Sequence, residues 1–597
     1  MYIGGLANCL ANPVQQHGND DDDDAENSED DERNEEGLGE SPDTPYLSEQ
    51  PVYAEEGFIK VPIDVREAAV GVNSTFDSRL KNFGGLVLDA SPVDMFYHFC
   101  PRGYFLTETV VATLVSMCLE VPDSMFTMLD FDLYVTILFA MTLFKHDDKR
   151  VFWSTEDEGN FIHLFQPKMK FNKYMSRFRF EFIAKHLKLC GVDKKPIQRD
   201  RLWETRPLIR AFNENMLNSY FASHIVCIDE SMHKLSMLYV PAAVFVMRKF
   251  TTRGNEYHTI ADGIKVLFYM ELVEGKSRPQ WMGPKEFDVA FGKTTGLLLR
   301  IVRYSGLEGS GRVVVLDSGF QVLQALIELL KRGVYASAII KWKGNWPKGV
   351  DGDLMESEAM KLITGESAAM RGTKNGAAFY LWVLRDSMYV LKFMTTYGTT
   401  NTHISATPVR RKACIPGAPQ VVFKHDVVCY NYYAHRNAVD VNNNGRQKCD
   451  PLEETVLSQS YSQRVFCHVL NTCEQNALRA YNHFVLKPRG SPPLSVRDFR
   501  IQHIEAVFSK VCMPVMSPGV AARKRAASAD DEVQHMLDTI PHFSRYKAGS
   551  GWQQDLKMKY VQRTCQLCGS KTSQYCKCNP NHSICQGCFL KHIHMGR

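Results

Sequence analysis

Along this chain, stretches with a helical repeat of apolar positions give way to short β-branched runs, and the change of period divides it. In NKYMSRFRFEFIAKHLKLC (172–190), Met175, Phe178, Phe182, Ile183 and Leu187 recur at helical spacing, with Arg177, Arg179, Lys185 and Lys188 largely between them. A basic amphipathic helix of this kind suits either a solvated surface or contact with phosphates. From about residue 223 the period shortens: HIVCIDES (224–231), DGIKVLFYMELV (262–273), RVVVLDSG (312–319) and ASAIIKW (336–342) read as strands. Between the last two, QVLQALIELLKRG (321–333) sets Val322, Leu326, Ile327 and Leu330 on one helical stripe and stops at Gly333. Strand, helix, strand in this order predicts a βαβ unit and a parallel pair.

Two of these strands end in a carboxylate, Asp229 and Asp317. Open α/β sheets place their chemistry at the carboxyl ends of strands. Two such strands side by side could share divalent metal, and paired Mg²⁺ ions roughly 4 Å apart serve in-line displacement at phosphorus. Taken singly, each aspartate is equally suited to starting a turn or capping a helix.

The pattern divides the chain as follows. Residues 1–88 are acidic and aperiodic, and are expected to be disordered. Helical text over 89–222 leads into the strand-rich 223–350, then a less patterned insertion of loops and strands over 351–424, and 425–447, where the core resumes. Helices return over 448–510, a linker follows over 511–559, and 560–597 is rich in Cys and His. The most apolar segment, LYVTILFAMTLF (133–144), has 12 residues and follows Asp130 and Asp132, too short and too flanked by charge to span a bilayer. With no secretory signal at the start, the expectation is a soluble, intracellular protein with no membrane partner.

Charge sharpens this picture. The net of +3 conceals 15 acids and one base within residues 1–50, which leaves 69 bases and 52 acids elsewhere. An acidic tail on a basic body fits a nucleic-acid binder that competes for its own surface, or a simple solubiliser. KWKGNWPK (341–348) interleaves Lys341, Lys343 and Lys348 with Trp342 and Trp346, suited to stacking bases beside phosphates or to packing the tryptophans inside. Arg523-Lys524-Arg525 is either a nuclear-import signal or an ordinary charge run.

In a reduced compartment the 17 cysteines are thiols or metal ligands rather than disulfides. Cys565, Cys568, Cys576, Cys578, Cys585, Cys588, His592 and His594 form a zinc signal, since Zn²⁺ favours tetrahedral Cys/His sites. Pairing 565/568 with 585/588, and 576/578 with 592/594, gives a two-zinc cross-brace; His582 is an alternative ligand because Cys576 and Cys578 are closely spaced.

FWSTEDEG, MSRFRFEFI, LWETRPLIRAFNENM, CIDESM, GNEYHTIADG, MELVEGKSRP, VVLDSGFQVLQAL and RGVYASAIIKWKGNWPKGVDGD, in this order and followed by the cysteine-rich end, resemble the piggyBac family of DNA transposases over roughly 95–597. The resemblance implies an α/β RNase H-like catalytic core with an inserted domain, flanked by an all-helical DNA-binding and dimerisation domain and a C-terminal cross-brace zinc domain. It further implies a nuclear homodimer that cuts and pastes double-stranded DNA, transposon ends into TTAA targets, with Mg²⁺. By the same resemblance Asp229, Asp317 and Asp440 are the three catalytic aspartates, Asp440 lying in YYAHRNAVDVNNNGRQ near a helix start, and together they hold two Mg²⁺. The family's additional acid three residues later is Asn443 here, whose amide can ligate or accept hydrogen bonds but adds no charge. Two other readings stay open: a descendant that binds DNA or chromatin without catalysis, and a zinc module acting as a ubiquitin-ligase RING.

Overall fold

The structure is a computed structural model, and it describes residues 53–54, 76–144, 148–153, 169–191, 200–235, 240–245, 253–341, 346–347, 350, 352–398, 404–415, 417–456, 458, 460–512, 537–539, 563–565, 571–572, 574–576 and 579–583. The chain divides into two compact units, residues 1–508 and 509–597.

In the first unit, helices α1 (Pro92–Phe99), α2 (Val110–Glu120), α3 (Met128–Thr142), α4 (Arg177–His186) and α5 (Thr205–Ser219) precede the sheet. Local chemistry starts several of them. Ser91 with Asp94 and Thr127 with Asp130 form capping boxes at α1 and α3, and Ser176 caps α4. α3 is apolar almost all round and buried from Leu133 to Thr142, so it is an interior helix. No described helix is long and apolar enough to cross a membrane. α4 buries Phe180, Phe182 and Ile183, whereas Phe178 of the expected apolar face stands 56% exposed.

The remaining elements run β1 (Ile225–Lys234), β2 (Arg253–Asp262), β3 (Leu267–Leu272), α6 (Lys293–Tyr304), β4 (Val313–Leu316), α7 (Leu323–Lys331) and β5 (Tyr335–Ile339). There follow α8 (Gly352–Met360), β6 (Ser367–Lys374), β7 (Ala377–Arg385), β8 (Val390–Thr395) and the hairpin β9 (Ile404–Arg411)–β10 (Val421–Asp426). α9 (Val427–His435), α10 (Ala438–Gln447), α11 (Tyr461–Tyr481) and α12 (Val496–Cys512) complete the series.

A ten-stranded mixed sheet is ordered Tyr53–Ala54, β6, β7, β8, β5, β4, β1, β2, Ala243–Phe245, with β3 also paired to β2. β4 joins β1 and β5 in parallel, with α7 between β4 and β5, so the predicted βαβ unit is present. All four residues of β4 are buried, which a parallel strand covered on both faces requires. The left-handed Gly333 (φ +67°) follows α7 where the stop was expected.

Elsewhere the structure differs from the pattern. The expected strand 262–273 is the end of β2, a turn through left-handed Lys265 (φ 69°), and β3. β1 continues five residues past Asp229, to Lys234, paired with β2 along that whole length. Within 351–424, β8 pairs antiparallel with β5, so β6–β8 extend the same sheet.

In the second unit Arg563–Thr564 pairs with Lys571–Thr572, and Gln574–Cys576 lies between Leu537–Thr539 and Asn579–Ser583.

Candidate active site

Alternation along β1 puts Ile225, Cys227, Asp229, Ser231 and His233 on one face. Ile225 packs in an apolar cluster with Val313, Val315, Phe393, Val428 and Tyr432, which seats α9. Cys227 packs with Ala261, Ala438 and Val439, which seats the first turn of α10. Asp440 therefore follows immediately on the residues that anchor its helix to the sheet, within the first turn.

Ile228 is in register with Leu316. Asp317 directly follows Leu316, the last residue of β4, so it and Asp229 come at the same end of neighbouring parallel strands. Burial, then the charges of Asp440, Glu230 and Asp317, push the Asp229 carboxyl up to about 8, against the opposing bond from the Glu230 backbone N–H. That N–H donates to Asp229 Oδ1 at 2.8 Å. Below it, burial followed by the charges of Asp229 and Asp440 raises the Cys227 thiol well above its ordinary value, and its Sγ donates to the Arg436 carbonyl at 3.1 Å.

The three sequence-selected aspartates thus share one electrostatic neighbourhood. Among the described residues, however, no three His, Cys, Asp or Glu side chains are gathered closely enough to hold a metal ion as they stand. The donor set still suits a hard divalent cation: the oxygens are all carboxylate, and their mutual repulsion is what such an ion relieves. Asp317 is half exposed and its Oδ1 lies 3.4 Å from Lys341 Nζ.

Asn443 lies one turn beyond Asp440. It is buried, and its Oδ1 accepts from Ser231 Oγ at 2.6 Å. Asn442 Nδ2 donates to the Lys265 carbonyl at 2.9 Å and to Asn476 Oδ1 at 3.1 Å. Asn476 in turn bonds both the N–H and the carbonyl of Leu267. Arg446 donates to the Met232 carbonyl at 3.0 Å and to Glu453. Burial alone would raise Glu453, but Arg446, His468 and His233 hold it well below its ordinary value. Gly445 lets α10 pass close to α11: a Cβ there would stand 2.2 Å from the amide end of the Gln475 side chain, which would have to move aside. The polar run NNNGR is therefore a set of ties from α10 to β1, the β2–β3 turn and α11, with Asn444 alone of the three asparagines exposed.

Glu230 and Ser231 were not singled out by the pattern. Glu230 carries charge that Asp229 feels, and its Oε1 lies 3.7 Å from where a Cβ on Gly319 would stand. The adjacent acids in CIDES were the available signal. Trp346 is buried at 6% exposure and is no stacking platform, while Trp342, Lys343 and Lys348 lie outside the described residues. Of the proposed zinc ligands, Cys565 is buried and Cys576 lies in a strand; Cys568, Cys578, Cys585, Cys588, His592 and His594 lie outside the described residues, as do residues 1–50. His582 lies in the strand Asn579–Ser583.

Residues 91–478 match the family model described as Transposase IS4. Among solved structures the chain is similar to a piggyBac transposase synaptic complex with hairpin DNA, at 15% identity and a TM-score of 0.52, covering 74% of this chain and 86% of that one. No curated protein gives a significant match.

Proposed function

We propose, from the premise that this chain belongs to the Transposase IS4 family, that it is a piggyBac-type transposase whose RNase H-like core cleaves and rejoins DNA strands at a site made by Asp229, Asp317 and Asp440. The observation that carries this reading is that Asp229 and Asp317 come at the same end of neighbouring parallel strands, with Asp440 on α10 close enough to raise the pKa of Asp229. The similar structure is a synaptic complex with hairpin DNA, and we extend double-stranded element ends, a TTAA target and a homodimer to this chain, acting in the nucleus.

Three carboxylates would hold two Mg²⁺. Bound there, the ions would polarise phosphoryl oxygens and stabilise attacking and leaving oxygens in displacement at phosphorus. The protein's own residues keep the carboxylates apart and oriented. Ser231, Asn443 and Arg446 fix α10 on β1, and the Glu230 N–H orients Asp229. Without a divalent cation, burial and the neighbouring charges favour the protonated form of Asp229, and cation binding would displace that proton.

The test is Mg²⁺-dependent nicking of duplexes carrying the inverted repeats beside the gene and a TTAA flank. The parent should nick them, and Asp229→Asn, Asp317→Asn and Asp440→Asn should bind them without nicking. Cleavage by Asp440→Asn at the parent rate would remove Asp440 from the site. One observation favours a second reading, a DNA-binding derivative without catalysis: the residue one turn beyond Asp440 is the neutral, hydrogen-bonded Asn443. Repeat-specific binding with no nicking by the parent at any Mg²⁺ concentration would select it.

For the C-terminal segment we propose two structural Zn²⁺ held by the Cys/His set, with folding energy drawn from the metal. Metal analysis should give two zinc ions per chain and a chelator should unfold the segment. One zinc or none would overturn the cross-brace. Ubiquitin transfer by the segment would support the RING reading instead.

A further inference from the structure

Lys341 stands just beyond β5, beside the end of β4 that carries Asp317. Leu316 is level with Ala338, so Asp317 is level with Ile339, and Lys341 lies two residues on, facing the same way. The backbone still belongs to the sheet there: the Ile340 N–H donates to the Lys392 carbonyl at 2.7 Å, and Ile340 is buried on the opposite side. The lysine is consequently directed along the carboxylate face, and its Nζ is 3.4 Å from Asp317 Oδ1 with both side chains about half exposed, at 49% and 44%. A half-exposed pair of this kind is weak and readily exchanged. A flexible lysine stem carries a compact charge that can pass from one oxygen anion to another a few ångströms away.

We propose that Lys341 is a substrate-contacting residue whose ammonium exchanges between Asp317 and a DNA phosphate. It rests on Asp317 when no divalent cation is bound, and turns to the DNA backbone when a cation takes that carboxylate. This rests on the carboxylate-site reading above. It adds a residue to that site and a coupling between two ligands: cation binding at Asp317 frees a positive charge for DNA, and DNA, by holding Lys341, frees Asp317 for the cation.

The exchange makes opposite predictions for the two ligands, which loss of folding cannot imitate. In Mn²⁺ titrations of the full chain without DNA, Lys341→Ala should bind the ion about two- to fivefold more tightly, since a competing cation worth a weak surface pair is gone. In DNA binding with Ca²⁺ present, the same variant should bind less tightly and its log-affinity against log-salt slope should fall by about one, as for a lost phosphate contact. Lys341→Arg should retain the slope. Unchanged or weaker Mn²⁺ binding, or an unchanged slope, would overturn the exchange. Asp317→Asn separates this from failure of the site itself. If it loses Mn²⁺ binding while Lys341→Ala changes nothing, the site stands and the role of Lys341 falls; if neither substitution affects Mn²⁺, both fall together.

Discussion

The two sides of the aspartate site are built differently. On the Asp229 and Asp440 side, α10 is tied to the sheet by apolar seating at Ala438 and Val439 and by Asn442, Asn443 and Arg446, and the carboxylate pKa is pushed up by burial and like charge. On the Asp317 side, the carboxylate is half exposed and has a lysine at 3.4 Å. The contrast separates two tasks. Buried, multiply bonded groups fix where a ligand must sit, whereas exposed, weakly paired groups can exchange partners at little cost.

The largest expected effect tests whether the halves act as one unit. Asp229→Asn or Asp317→Asn should each reduce cleavage on the order of 10³-fold or more, and the double variant little further, because groups acting together are not additive. Rates of end nicking by the single and double variants decide it, and additive losses would mean that the halves work independently.

The next effect concerns the tied half alone. Arg446→Met leaves the buried Glu453 carboxylate without its main partner and should cost about 3–5 kcal/mol, read as a lowered urea midpoint. Adding Glu453→Gln should recover much of the loss. An equally unstable double variant would assign the effect to packing rather than charge.

A smaller effect asks what the neutral asparagine does. Ser231 Oγ can donate to a carboxylate as well as to an amide, so Asn443→Asp should keep the fold. The added charge should tighten Mn²⁺ binding by about tenfold, more at high pH than at low. Calorimetric titration checks this, and a weakened affinity would show that the neutral residue is required.

A further effect is on stability against pH. The Asp229 pKa is raised from 3.8 to about 8, so between those values the folded protein binds more protons than the unfolded chain. By linkage, this group's contribution to stability falls as pH rises through that window. Without divalent cation, the urea midpoint of the parent should therefore decline more steeply from pH 5 to 8 than that of Asp229→Asn. Parallel curves would place Asp229 in a more solvated setting than its neighbours suggest.

Legibility followed range. The β-branched runs ending at Asp229 and Asp317, and the helix stripe with its Gly333 stop, are local patterns, and the folded chain keeps them. The extension of β1 through Ser231 and His233 was not legible, because the backbone there pairs with β2 while the polar side chains meet Asn443, His468 and Glu453 more than 200 residues away. Asp440 lies in the first turn of α10, near a helix start as expected, although most of the polar stretch Asn431–Asn437 before it is the end of α9 and not a lead-in. Phe178 fitted the helical period but faces outward, since period alone does not say how wide a buried stripe must be.

The 123 residues between Asp317 and Asp440 also set a schedule. A growing chain finishes the strands bearing the first two aspartates early, but α10 cannot dock until β6–β8 have been added, and its ties to α11 wait longer still. Nascent or prematurely terminated polypeptides therefore carry the front of the site without its closing helix. On the proposed reading, such a fragment would lack one of the three carboxylates that strand cleavage needs.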